Sequence, residues 1–301
     1  MTPQKSPGWV LSFTLLGLIW GSSFLFIKEG LQILSPFGIA FWRTALGAVV
    51  MALVIVIRRH QLPKSVKQWA TIWVGGLLMS GVPAALFGYA QQHVSSALAS
   101  ILNASTPIFT VIAIMIAFRD EKPKRHVVVG LLVGLVGVGV VLGVWAGFGV
   151  NDPLAIGALV LAVTCYGFGT PFTRKYISTM SIGSESAVFV QVSTSALTML
   201  PLYISTGPIF VGELTPLPVA SMLILGFIGT GYAYVAYYDI IHKVGSAIAS
   251  SVTYITPLVG VFLGAVLLGE SITWNQPVGG LVILLGAAIA QGRLQGLVTK
   301  K

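Results

Sequence analysis

The sequence predicts an all-α polytopic membrane protein: ten transmembrane helices in two inverted five-helix repeats, with both termini cytoplasmic. Three observations carry the prediction. Of 301 residues, 55% are hydrophobic and only 8% charged, against about 25% charge in an ordinary soluble domain. Apolar windows of bilayer-crossing length recur along the whole chain. The second half of the chain also repeats the first. The single Cys165 excludes an intrachain disulfide or a cysteine metal centre and reads as a small packing residue.

The first window, at about 9–29, follows a short head with one lysine and lacks a small-residue cleavage pattern, so it reads as a retained span. It contains WGSSFLFIKEG, in which Trp20, Gly21, Ser22 and Ser23 interrupt the apolar run before Lys28 and Glu29. The second, about 36–57, carries Arg43 about seven residues in, roughly 10 Å deep at a 1.5 Å rise. That cation is suited to hold a carboxylate bidentately. It reads equally as a structural tie to backbone carbonyls or to Glu29. The third window, about 69–90, ends at Tyr89; Gln91, Gln92 and His93 follow, and His93 reads as a solvated loop residue. The fourth, about 95–118, holds Asn103, Ser105, Thr106 and Pro107, where a mid-span proline removes a backbone hydrogen bond and bends the helix. The fifth, about 127–148, has the close-packing pattern GLLVGLVGVGVVLG.

The windows of the second half fall at about 154–174, 184–204, 218–238, 246–268 and 276–296. The sixth span contains YGFGTPFTRKY with Tyr166 and Gly167. In the eighth, Tyr234 and Tyr238 share a face at i, i+4 spacing with Tyr237 beside them. They read either as an aromatic wall for a flat solute or as an interfacial belt. The ninth carries Ser250, Tyr254, Thr256 and Pro257, and the tenth contains GGLVILLGAAIA. The connections are too short for a soluble domain.

The net charge of +9 would suit nucleic acid, but its placement excludes that partner. With a cytoplasmic N-terminus, fifteen of the seventeen basic residues fall in inner loops, leaving Lys28 outside and Arg43 within span 2. Such asymmetry fixes an N-in, C-in topology and an even number of spans.

VSSALASILNASTPIFTVIAIMIAFRD, from Val94, aligns without a gap on VGSAIASSVTYITPLVGVFLGAVLLGE, from Val244. Thr106 and Pro107 pair with Thr256 and Pro257, and Asp120 with Glu270. Trp20, Gly21 and Lys28 pair with Tyr166, Gly167 and Arg174, and Arg43 pairs with Gln191. Five spans per repeat reverse the second copy across the membrane, an arrangement recurrent in secondary transporters.

These residues also resemble a known family. WGSSF in span 1, FWR in span 2 and the paired S-x(5)-TP-x(12)-[DE] segments are similar to the EamA-type family of the drug/metabolite transporter superfamily, as two domains at about 13–144 and 156–291. The resemblance implies a ten-helix bundle around a central cavity that moves small metabolites, often outward across a bacterial inner membrane. It does not fix a substrate. The chain departs from the pattern at Asp120-Glu121, where the second repeat has the more family-like Gly269-Glu270.

Polar groups in the hydrocarbon are retained where they face a cavity. The candidate substrate-binding residues are therefore Trp20, Ser22, Ser23, Arg43, Tyr89, Asn103, Thr106, Tyr166, Tyr234, Tyr238, Tyr254 and Thr256, with Gly21, Pro107, Gly167 and Pro257 as candidate hinges. The eight acidic residues all lie in loops or near span ends, so no carboxylate sits at mid-membrane for proton coupling; Asp239 and Glu185 are the end-of-helix alternatives. No metal cluster, phosphate loop or nucleophile–base constellation is present, so neither an enzyme nor a cofactor is expected. The expected function is alternating-access export of small organic metabolites, with aromatic or neutral amino acids first. A proton-coupled exporter and a non-transporting membrane sensor or assembly protein are the alternatives. The expected partners are a small-molecule substrate and the lipid bilayer, with a monomer favoured over a dimer built on the glycine-rich faces.

Overall fold

The computed structural model describes residues 8–121, 123–141, 143–146, 152–268, 273–290 and 292. The expectations for Lys5, Lys122, Gly269, Glu270, Arg293, Lys300 and Lys301 lie outside the described residues, as do the ends of the fifth and tenth windows. Among the described residues the regular structure is entirely helical, and seven helices are long and apolar enough to cross a membrane. The chain is an all-α polytopic membrane protein.

Helix α1 (Gly8–Gly30) and helix α2 (Pro36–Arg58) fill the first two windows. The Ser35 hydroxyl caps α2 by accepting from the Gly38 amide at 3.2 Å, and Pro36 starts the helix. The third window is one 28-residue run, Val66–His93, built of α3 (Val66–Gly76), a π turn (Leu77–Gly81) and α4 (Val82–His93). A Ser65–Gln68 capping box starts it. The fourth window is broken into α5 (Ser96–Asn103) and α6 (Thr106–Ile116). Pro107 therefore begins a new helix, where its missing N–H costs nothing, and does not bend a continuous one. Helix α7 (Arg125–Val141) follows.

In the second half, α8 (Pro153–Phe172) runs into a π turn (Thr173–Ile177), and α9 (Ser184–Ser205) comes next. Helix α10 (Pro216–Gly226), a π turn (Phe227–Tyr232) and α11 (Ala233–Val244) form another long run. A helical turn α12 (Ser246–Ser250), a 3-10 turn (Ser251–Tyr254) and α13 (Ile255–Leu268) precede α14 (Asn275–Ala290).

The packing follows a pattern. Helix α1 lies against α10, α11 and α13, while α8 lies against α4 and α6; α2 packs on α9 and α7 on α14. The last pair meets through the glycines singled out in the sequence. A Cβ on Gly130 would stand 2.3 Å from the Ala290 nitrogen, and one on Gly279 2.4 Å from the Val141 nitrogen. Packing within one chain thus accounts for those glycines. Large apolar side chains such as Val56, Ile57, Leu197 and Leu281 are exposed on the outside, a surface suited to lipid and not to water.

Candidate functional site

The site grows from two places where the helices stop being regular. At the α5–α6 break the Thr106 hydroxyl donates to the Asn103 carbonyl at 2.7 Å, and at the 3-10 turn Thr256 donates to the Thr253 carbonyl at 2.8 Å. Each threonine satisfies a carbonyl that the break would otherwise orphan. The π turns Leu77–Gly81 and Phe227–Tyr232 supply the second irregularity, widening the backbone by one residue per turn. Trp20 Nε1 donates to the Gly229 carbonyl in one π turn at 3.1 Å, and the Tyr234 hydroxyl donates to the Met79 carbonyl in the other.

Between these irregular segments lies a small, open-mouthed cavity of about 50 Å³. Six of its thirteen lining residues are aromatic. Trp20 leans edge-on to Tyr234 with ring centroids 5.7 Å apart and lies 4.9 Å from Tyr237, while Phe87 stacks on Tyr166 at 6.1 Å. Ser23, Asn103, Thr106 and Thr253 add neutral polar groups, and Phe24, Ile27 and Met79 complete the lining.

Arg43 is the one charged residue on this wall among the described residues. It is 6% exposed. Its Nε donates to the Thr230 hydroxyl at 3.2 Å, tying α2 to the π turn. No carboxylate lies within ion-pairing distance of it among the described residues. The tie to Glu29 is not made: Glu29 accepts from Gln32 at 2.8 Å, and Lys28 donates to the Gln91 carbonyl at 2.9 Å. Lys28, Glu29 and Arg43 therefore form no cluster.

Seven of the twelve proposed binding residues line the cavity: Trp20, Ser23, Arg43, Asn103, Thr106, Tyr166 and Tyr234. The others are placed elsewhere. Ser22, two residues from Trp20 and so across the helix, donates to the Ile19 carbonyl at 2.9 Å. Tyr89 is likewise two residues from the cavity-facing Phe87 and packs 5.0 Å from His93. Tyr238 donates to the Gln191 side chain, which in turn donates to Ser80. Tyr254 reaches the Leu131 carbonyl at 2.6 Å, and Thr256 is spent on its turn. Phe24, Ile27, Met79, Phe87, Tyr237 and Thr253 are the lining residues outside the predicted set. Phe24 and Ile27 were readable, because with Trp20 and Ser23 they form an i, i+3, i+4, i+7 face. Met79 carried no signal.

The glycine hinges hold regular helix. α1 and α8 are continuous through Gly21 and Gly167, and each glycine marks a close approach. A Cβ at Gly21 would lie 2.6 Å from Val259 Cβ, and one at Gly167 2.6 Å from Phe109 Cβ. Pro257 lies in the first turn of α13.

The end-of-helix acids are engaged. Asp239 accepts from Ser184 at 2.6 Å, and Glu185 lies 3.8 Å from both Arg58 and His60. His93, read as a free loop residue, lies 3.8 Å from Asp152. At one end of the bundle Glu121 joins three segments: it pairs with Arg174 and accepts from the Ser246 amide and, at 2.7 Å, from the Ser246 hydroxyl. Lys175 pairs with Asp120 beside it at 2.6 Å. At the other end Lys28 and Ser96 converge on Gln91 through hydrogen bonds of 2.9 and 3.1 Å.

The EamA-like transporter family matches residues 7–143 and 153–291. The chain is 24% identical over 279 residues to the uncharacterized transporter YoaV of Bacillus subtilis, covering 92% of this chain and 94% of that one. It is 27% identical over 268 residues to the uncharacterized inner membrane transporter YedA of Escherichia coli, covering 86% and 82%. An uncharacterized transporter of Archaeoglobus fulgidus is 26% identical over 285 residues, covering 93% and 96%. A solved crystal structure aligns with a TM-score of 0.75 at 19% identity over 97% of this chain and 99% of the other, which establishes likeness of fold alone.

Proposed function

We propose a specific mode of transport from one premise: the chain belongs to the EamA-like transporter family, within the drug/metabolite transporter superfamily. In this reading it is a secondary transporter in the bacterial inner membrane, with both termini cytoplasmic, and works by alternating access between two inverted five-helix repeats. The observation that carries it is a cavity lined from both halves, with a broken helix from each half at its wall. Exchange of the packing partners supports the repeat: α1 meets α11 and α13 as α8 meets α4 and α6. The π turn at Leu77 also recurs 150 residues on, at Phe227.

The solute is a small organic metabolite, with aromatic or neutral amino acids the first to screen and export the first direction. Among the described residues no carboxylate lines the cavity, which supports downhill movement or exchange over proton coupling. No catalytic role is assigned. The protein acts as a monomer, its glycine-rich faces being occupied within the chain.

The test is flux of labelled aromatic and neutral amino acids into liposomes holding the purified protein. Flux above protein-free liposomes, undiminished when the pH gradient is collapsed, is expected. Flux that disappears with that gradient would replace the downhill reading with proton-coupled export. Absence of flux for a broad metabolite panel in either orientation would favour a sensor or assembly role.

A further inference from the structure

Deepening the transport reading, and resting on it for the route by which the solute arrives, we propose that the cavity recognises aromatic carboxylates by their negative charge, and ranks them above aromatic zwitterions and aromatic amines. Arg43 is the starting point. A guanidinium buried inside a bilayer protein is expensive and is ordinarily paired with an anion. Here the only hydrogen bond it makes among the described residues is from Nε to Thr230. That bond ties the guanidinium to a turn that is itself irregular, and among the described residues neither terminal nitrogen of this cavity-lining side chain has a carboxylate partner. Two parallel N–H donors in one plane match a carboxylate, which accepts both at once.

The rest of the wall supplies the other half of the selection. Trp20, Phe87, Tyr166, Tyr234 and Tyr237 form flat, apolar surface that suits an aromatic body by offset or edge-to-face contact. No acidic side chain lines the cavity among the described residues, so a bound ammonium has no fixed counter-charge. In an α-amino acid the ammonium is two bonds from the carboxylate. Docking the carboxylate on Arg43 therefore brings a like charge close to the guanidinium, at a cost that rises as water leaves.

The repeat sharpens the argument. Gln191 is the residue paired with Arg43, and it is buried, held between Ser80 and Tyr238 and absent from the cavity wall. The cavity therefore carries one cationic anchor and not a symmetric pair, which fits a monoanion.

The test uses the full chain in nanodiscs and three probes that share a phenylethyl skeleton: 3-phenylpropionate, phenylalanine and phenethylamine. Equilibrium binding of labelled 3-phenylpropionate, with the other two as competitors, is expected to rank the carboxylate about tenfold tighter than phenylalanine and still further above the amine. Arg43→Gln, which removes the charge and leaves a hydrogen-bonding side chain, is expected to abolish that ranking, and Arg43→Lys to retain part of it. A wild-type protein that binds phenethylamine or phenylalanine as well as 3-phenylpropionate overturns the proposal. So does a ranking unchanged in Arg43→Gln, or no 3-phenylpropionate binding at all. Liposome flux separates the two readings. Carboxylate binding without flux of any solute removes the transport reading and keeps this one, whereas flux of other solutes without carboxylate binding does the reverse.

Discussion

The two halves of the chain share a backbone plan and differ in chemistry at matching positions. The π turn at Leu77–Gly81 corresponds to that at Phe227–Tyr232, and the Thr106–Asn103 bond to Thr256–Thr253. Side chains diverge. Arg43 faces the cavity while its partner Gln191 is locked between Ser80 and Tyr238. Arg174 is held by Glu121 at one end, whereas its partner Lys28 caps a backbone carbonyl at the other. Each half contributes an irregular helix to the wall of the site. Divergence makes the site and its two ends unlike each other.

The largest expected effect breaks the shared plan at two tight contacts. Gly21 and Gly167 are a matched pair, but what they touch differs. Added bulk at Gly21 meets Val259 Cβ at 2.6 Å and then its two methyls, whereas at Gly167 it meets Phe109 Cβ at 2.6 Å and then the backbone of Phe109 and Thr110 at 2.8 and 3.0 Å. A Cβ moves only with its own backbone, so neither contact can turn aside, though the Val259 methyls can give where backbone atoms cannot. Overpacking typically costs about 1–3 kcal/mol, so both substitutions are expected in the upper half of that range, with Gly167→Ala the larger. Thermal unfolding in detergent would measure both. Equal losses would mean that α8–α6 and α1–α13 are packed alike.

The next effect separates the two ends. Glu121 accepts a charged hydrogen bond from Arg174 and two more bonds from Ser246, with its side chain 17% exposed. Hydrogen bonds to charged groups contribute about 1.5–3 kcal/mol, and Arg174 is 40% exposed, which moves the value toward the low end. Glu121→Gln is expected to destabilise by about 1.5 kcal/mol. Lys28→Met removes one bond to the Gln91 carbonyl and keeps the apolar stem, so about 1 kcal/mol or less is expected. The check is the order of the two melting shifts. A larger loss from Lys28→Met would place the stronger closure at the Gln91 end.

How far the sequence carried the reading depends on which interactions are local. Span positions follow from apolar length, and proline with repetition marks the places near Thr106 and Thr256, though as bends where the structure has breaks. Helical spacing also allowed the cavity face of α1 to be read from Trp20. Tyr254 shows the limit: it sits beside a break, yet its ring fills the slot left by the missing side chain of Gly134, with Cβ–ring separation 2.5 Å if that glycine were replaced. That pairing spans two distant helices and leaves no local trace. The π turns were equally silent, since LLMSG and FIGTGY read as ordinary small-residue helix. The tie of Arg43 to Glu29 failed because nearness in depth is not nearness around the helix axis.

The smallest expected effect lies just outside the membrane, in the exposed pair Asp120–Lys175, which the other end answers only with His93 and Asp152 at 3.8 Å. The hydrogen bond from Lys175, and then its charge, hold the Asp120 carboxyl below the ordinary carboxylate value. A depressed acid pKa stabilises the fold above the unfolded value, about 3.9 for aspartate, and that contribution fades as pH falls through the lower folded value. Asp120 is highly exposed, so solvent and salt screen the pair and the contribution is small. The melting temperature of Asp120→Asn is therefore expected slightly below that of the parent from pH 8 down to about pH 5. The two curves should then converge at more acid pH, and the gap should shrink when salt is raised. A gap that survives full protonation would mean that Asp120 acts by shape or hydrogen bonding, and the difference between the ends would then rest on Glu121 alone.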